Sequence, residues 1–214
     1  IRIIDQLDFS KFKQNPKWVC GFSDITVLHS HIYQSFGIPT IHSIMPSVWD
    51  TATVEAIDTL RKALFGEELT YTNDLIGQNR PGKVKGILVG GNSSILSALV
   101  GSVSDVETKD RILFIEDLDE YLYHMDRMMI SLKRAGKFAA LKGLIIGGMT
   151  EMKDNEIPFG FTMEEIIFDQ VKNHNYPVGF GFPCGHIPDN RALRLGMECE
   201  MEVTEGQLIF SQKA

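Results

Sequence analysis

One pattern constrains this chain more than any other. A short, wholly apolar run ends in glycine or a polar residue and is followed by helical spacing, and the unit then recurs. KGILVGG (85–91) leads into Asn92 and SSILSALV, and RILFIE (111–116) leads into a Met-rich stretch. GLIIGG (143–148) precedes a segment opening on Thr162, and VGFGFP (178–183) runs into Gly185-His186. Apolar runs of about four to eight residues without alternation read as strands buried on both faces, as in a parallel sheet covered by helices. The spacing predicts an α/β fold.

The intervening segments supply the helices. Asn92 is placed to cap SSILSALV; Leu122, Met125, Met129 and Leu132 recur at helical spacing up to Gly136. That Met-rich stripe reads as core. Thr162 and Glu165 form a capping-box pattern ahead of EIIFDQV. The tail, LRLGMECEMEV then QLIFSQ, alternates as antiparallel strands do around a Glu205-Gly206 turn. A similar rhythm stands at the N-terminal end: WVCGF (18–22) reads as a strand, Ser23 or Asp24 can cap a helix through Phe36 closed by Gly37, and PTIHS (39–43) is a second strand. It begins too abruptly for a whole doubly wound unit, whose other strands would lie upstream of Ile1. Between the two regions, TATVEAIDTLRKALFG (51–66) predicts one amphipathic helix, and the polar EELTYTNDLIGQNRPG (67–82) reads as a connection. The expected organisation is therefore 1–46 as the end of an N-terminal domain, 47–82 as a linker with a helix, and 83–214 as a C-terminal domain.

Composition narrows the partners. The 214 residues are 43% hydrophobic, enough for a substantial core, and the net charge of −7 argues against nucleic acid or an anionic membrane surface. No apolar run approaches the roughly 20 residues of a membrane span. Cys20, Cys184 and Cys199 are odd in number and widely spaced, as in a reducing compartment. The opening IRIIDQLDFS lacks Met and any signal-peptide n-region, which suggests a processed or partial chain.

In parallel α/β sheets chemistry collects beyond the carboxyl ends of strands. That rule selects Ser23 and Asp24, Asn92, Glu116 and His186. Glu116 closes a buried run and must find a partner: a structural ion pair, a helix cap, or a histidine that it orients. His186 lies in a Gly-His-Ile loop that leaves room for a substrate, though a lone loop histidine can be incidental. Other signals are weaker. GFSD holds only half of a nucleophile elbow. His29 and His31 project to roughly opposite faces of a helix. Ser10 to Lys13 fits S-x-x-K without its companion K-T-G element. VGGNSS matches no phosphate-binding fingerprint.

Taken together, RIIDQLDF, VCGFSDITVLH, IPTIHS, VKGILVGGNSSILSALVGS, ILFIEDLDEYLYHMDRMMISLKRAG, LKGLIIGGMTEM and YPVGFGFPCGH resemble, in order and spacing, the LD-carboxypeptidase family of serine peptidases. That family includes murein tetrapeptide carboxypeptidases and microcin-immunity peptidases. The resemblance implies a flavodoxin-like parallel-sheet N-terminal domain, a smaller mixed α/β C-terminal domain and a Ser-His-Glu triad without metal or other cofactor. The family's F-I-E-D glutamate falls on Glu116 and its G-F-P-x-G-H histidine on His186. The family serine lies in an R-G-G-Y-G-type turn just before the R-I-I-D-type segment, which puts it upstream of Ile1. Also implied are a murein peptide substrate, a homodimer and a cytoplasmic setting. A microcin-immunity-like amide hydrolase and a non-catalytic homologue that only binds are the competing readings. Arg127 and Arg191 are candidates for holding a substrate carboxylate, although surface ion pairs are the more common use of such arginines and the preferred reading for both.

Overall fold

The computed structural model describes residues 1–213 and contains two sheets with helices on both faces of the larger one. The larger sheet has seven strands. Its parallel part comprises β4 (Gly82–Asn92), β5 (Arg111–Leu118), β6 (Gly143–Thr150) and β7 (Val178–Phe180) in that spatial order. Beside β4 lie β9 (Glu198–Val203), β10 (Gln207–Gln212) and β3 (Leu69–Asp74), each antiparallel to its neighbour. The smaller sheet joins β1 (Cys20–Gly21), β2 (Thr40–His42) and β8 (Leu193–Leu195).

The unalternating runs are explained by burial on both faces. Along β5, Ile112 and Phe114 enter one core with Leu88, Ile145 and the small residues of α3 (Val54–Leu64). Leu113 and Ile115 point the other way, onto α5 (Leu122–Arg134) and α6 (Met163–Val171). Met125, Met129 and Leu132 are buried there and Leu122 packs at the margin, so the Met-rich stripe is core. Each such side chain contributes about 1.5–3 kcal/mol of transfer free energy. The expected caps on this side of the chain form. Asn92 accepts from Ile95 N–H at 3.1 Å at the start of α4 (Ser93–Leu99), and Thr162 and Glu165 make a reciprocal capping box on α6.

Two local expectations change. Neither Ser23 nor Asp24 caps α2 (Thr26–Phe36). The chain turns through a 3₁₀ segment, Ser23–Ile25, with Ser23 at φ 59°, so the helix is entered from a preceding turn without a side-chain cap. The polar stretch after α3 is not all connection, because 69–74 pairs with β10 along its whole length. Its Leu69 and Tyr71 alternate inward while Thr70 and Thr72 stay out, which is sufficient for a half-buried edge strand.

The N-terminal segment is stitched to the rest by β8, which leaves the C-terminal region to pair with β2 (Ile41 opposite Arg194). From β8, Arg194 reaches under α3. It is almost fully buried, and Nη2 donates to the carbonyls of Lys62 (3.1 Å), Ala63 (3.1 Å) and Glu67 (2.7 Å). Ala63 lies in the last turn of α3, where carbonyls lack an i+4 donor, Lys62 O is shared with the Glu67 N–H, and Glu67 is just beyond the helix; a cation there also meets the negative end of the helix dipole. Replacing Arg194 with Met keeps an unbranched apolar stem and leaves the carbonyls of Ala63 and Glu67 without these donors. The expected result is a loss of about 3 kcal/mol of stability, read as a lower urea midpoint with an unchanged m-value.

Candidate active site

The site is built where β5 ends. Glu116 and Asp117 are both buried, at a point where the pairing of β5 with β6 shifts register between Ile115 and Asp117. Such an irregularity re-aims side chains at a strand end. Here the two carboxylates diverge. Asp117 serves α4: Oδ1 accepts from Asn92 Nδ2 and Leu118 N, and Oδ2 accepts from Ser94 N and Oγ, all at 2.9 Å. Glu116 faces the loop after β7. His186 Nδ1 lies 2.7 Å from its Oε2, so the two candidates chosen from strand-end logic meet.

Close backbone approach makes that meeting possible. The loop lies directly on β6, with Phe182 N–H donating to Ile146 O (3.0 Å) and Gly148 N–H donating to Cys184 O (2.8 Å). Gly147 permits this, since a Cβ there would sit 2.4 Å from Cys184 O. Gly185 does the same over Glu116. Its φ is +110°, and a Cβ would fall 2.8 Å from both Glu116 Cβ and Oε2. Thr150 Oγ1 donates to His186 O at 3.1 Å and closes the loop from the far side.

A carboxylate accepts only, so Nδ1 carries the proton toward Glu116 and Nε2 keeps its lone pair in the neutral ring. Burial alone would depress the imidazolium of His186, but the hydrogen bond and charge of Glu116 outweigh it and hold the pKa above the ordinary histidine value. Burial pushes the Glu116 carboxyl up, and the same contact opposes that shift. The ring is 14% exposed and lines a cavity of about 260 Å³ with Phe22, Ile44, Val48, Leu118 and Asn190. Phe22 packs edge-on against it, ring centroids 4.8 Å apart. The arrangement can orient an imidazole of fixed tautomer beside a mostly apolar cavity, as a general base requires.

The remaining sequence candidates lie elsewhere. His29 Nε2 donates to Gly21 O at 2.9 Å, whereas His31 Nδ1 meets Ser104 Oγ at 2.8 Å, so the two histidines have separate partners. Ser10 and Lys13 are exposed on the short α1 (Ser10–Gln14). Arg191 is held by Asp189 (Nη2 to Oδ2, 2.9 Å) and stacks over Tyr71, and Arg127 lies over Tyr123. Neither arginine lines the cavity beside His186. Three residues at the site escaped the sequence reading: Phe22, His42 and Asn190. His42 ends the buried strand β2, and that position is a signal the strand-end rule could have used. The contact of Asn190 spans 148 positions, and nothing local announces it.

A two-sheet α/β fold with a buried glutamate paired to a half-buried histidine beyond its strand ends defines the class of this protein. Residues 1–43 match the LD-carboxypeptidase N-terminal domain and residues 85–201 the LD-carboxypeptidase C-terminal domain. The chain belongs to the LD-carboxypeptidase family. It is 34% identical over 211 residues to a probable murein peptide carboxypeptidase of Bacillus subtilis, covering 95% of this chain and 66% of that protein. A putative carboxypeptidase of Synechocystis is 30% identical over 213 residues, covering 98% and 68%. The chain thus spans about two thirds of the length of these relatives. The crystal structure of a muramoyltetrapeptide carboxypeptidase from Oxalobacter formigenes superposes with a TM-score of 0.89 at 23% identity, over 100% of this chain and 74% of that one, which establishes the shared fold.

The buried histidines also set an acid limit. Burial lowers the pKa of His29 to about 4, with its bond to Gly21 O opposing. The unfolded chain therefore takes up the proton first as pH falls below about 6.5, and stability declines from there toward pH 4. His29→Gln keeps a donor for Gly21 O without a titrating group. The urea midpoint of this variant should fall less steeply between pH 6.5 and 4 than that of the parent.

Proposed function

We propose that the protein containing this chain is a serine-type LD-carboxypeptidase that releases the terminal D-alanine of murein tetrapeptides, with His186 as general base and Glu116 as its orienter. The observation that carries this reading is the 2.7 Å Nδ1–Oε2 contact at a cavity, in a chain of the LD-carboxypeptidase family. Names of relatives support the substrate class: one is a probable murein peptide carboxypeptidase. The nucleophilic serine is assigned to the glycine-rich turn that, in the family, precedes the segment matching residues 2–9.

On this reading His186 Nε2 takes the serine proton as the hydroxyl attacks the carbonyl, then returns it to the departing D-alanine amine. Glu116 keeps Nδ1 protonated and stabilises the imidazolium that forms. The apolar walls Ile44, Val48 and Leu118 suit a small aliphatic side chain. A substrate carboxylate would need a donor from outside these walls, since none of them is cationic. Three further parts belong to the proposal: a homodimer and a two-domain organisation, which the family resemblance implies, with the division near 46 and 83 taken from the change of pattern along the chain, and a cytoplasmic setting suited to recycled wall fragments. Three free cysteines suit a reducing compartment. No helix of the described residues is long and apolar enough to cross a membrane.

The natural full-length protein, incubated with L-Ala-D-Glu-meso-diaminopimelate-D-Ala, should release D-alanine detectable by mass spectrometry. His186→Ala or Glu116→Ala should lower kcat by roughly 10³-fold or more. Residues 1–214 alone should be inactive. Because the base must be neutral and its pKa is raised, the acidic limb of kcat/KM should lie above about pH 6.5. Glu116→Gln should move that limb to lower pH. Cleavage of an acyl-sulfamoyl adenylate without D-alanine release would instead place the protein with the immunity-type hydrolases.

A further inference from the structure

Beneath the Glu116–His186 pair lies a second polar contact that crosses from the N-terminal segment to the His186 loop. Asn190 Oδ1 accepts Gly185 N–H at 2.9 Å and faces His42 Nε2 at 3.1 Å. A backbone N–H can only donate, so the amide atom facing it is the oxygen, and the same oxygen must then receive Nε2–H of His42. His42 is fully buried, Asn190 nearly so, and burial holds the imidazole neutral with a pKa of about 3. The His42 ring is wedged edge-on between Phe114 (4.9 Å) and Phe22 (6.3 Å), and Phe22 in turn abuts His186. His42 therefore reaches the base by two routes: through Asn190 to the backbone of Gly185, and through Phe22 to the imidazole itself.

We infer that His42 and Asn190 are positioning residues, a buried strut from β2 that holds Gly185 down on Glu116 and so sets the Nδ1–Oε2 contact of His186. The geometry leaves little slack. Gly185 lies so close over Glu116 that an added Cβ would overlap its side chain, so lifting the loop away from Asn190 moves His186 relative to the carboxylate. A singly hydrogen-bonded imidazole beside a cavity has few other restraints. The backbone carbonyl of His186 is held by Thr150, and its ring is hydrogen-bonded to Glu116 and packed edge-on against Phe22. The strut also ties the base to the segment that, on the proposed reading, adjoins the nucleophile. Alignment of the base then depends on the N-terminal segment being docked.

The inference rests on His186 being the base, yet it can be tested without turnover. In the natural full-length protein, the titration of His186 is followed by the Cε1–H resonance of ¹³C-labelled histidine. His42→Phe fills the space and removes the donor, Asn190→Leu removes the acceptor, and His42→Gln restores an N–H donor. The neighbours that can influence the titration are Glu116, Asp117 and His42, and only the last is altered in the His42 variants. The expected result is that His42→Phe and Asn190→Leu lower the His186 pKa, as its hydrogen bond to Glu116 is lost and burial dominates. His42→Gln should retain it. In peptidase assays kcat should fall about 10- to 100-fold in the first two variants with KM little changed, and recover in the Gln variant. A folded His42→Phe or Asn190→Leu with unchanged titration overturns the strut, as does a His42→Gln that behaves like His42→Phe. Should His42→Phe fail to fold, Asn190→Leu against His42→Gln decides. If the parent releases no D-alanine, the proposed function falls and the titration still decides the strut.

Discussion

A carboxylate buried at the end of a parallel strand is the constraint around which this molecule is arranged. Desolvating Glu116 costs several kcal/mol unless a donor compensates it, and β5 carries it into the protein with its side chain fully covered. Asp117, also buried, solves the same problem with four hydrogen bonds, three to the start of α4 and one from the N–H of Leu118. Glu116 makes one such contact, to His186. The adjacent residues thus divide into a carboxylate spent on architecture and one left to hold an imidazole.

Side-chain chemistry alone would not bring that imidazole close. The loop carrying His186 must lie on β6 and over Glu116 with no Cβ between, which is the service of Gly147 and Gly185. The aromatic wedge of Phe22, His42 and Phe114 then fills the space beneath the ring. Electrostatics and packing act in the same direction here. The Glu116 contact raises the basicity of His186, while the tight loop restricts the ring to the orientation in which Nδ1 faces the carboxylate.

The two ends of the chain are interdependent. Residues 1–43 contribute only two short strands, and the third strand of their sheet, β8, comes from residues 193–195. The same strand delivers Arg194 beneath α3, which joins the helix after the N-terminal segment to the C-terminal strands. Thr26 Oγ1 accepts the N–H of Asn92 at 3.0 Å, a further tie between α2 and the end of β4. Small elements that could bury little surface alone are held by partners distant in sequence.

Sequence by itself determined the α/β class, the strands of the parallel sheet and most helix termini, and it singled out Glu116 and His186, which the structure brings together. All of these follow from local rules: unbroken apolar runs, capping residues, and polar side chains just past a strand. The family resemblance was equally legible, because it rests on short motifs in a fixed order. Tertiary structure decided what depends on distant partners. The strand at 69–74 is polar enough to read as a loop until β10 pairs with it. Ser23 could cap α2 by composition, yet its backbone takes a left-handed turn instead. Whether Glu116 caps a helix or orients a histidine was open in the sequence, since both uses satisfy a buried carboxylate. Only the register shift of β5 and the glycine-lined approach of the β7 loop choose between them. The roles of His42 and Asn190 are of the same kind: their hydrogen bond joins residues 148 positions apart, and no local pattern encodes it.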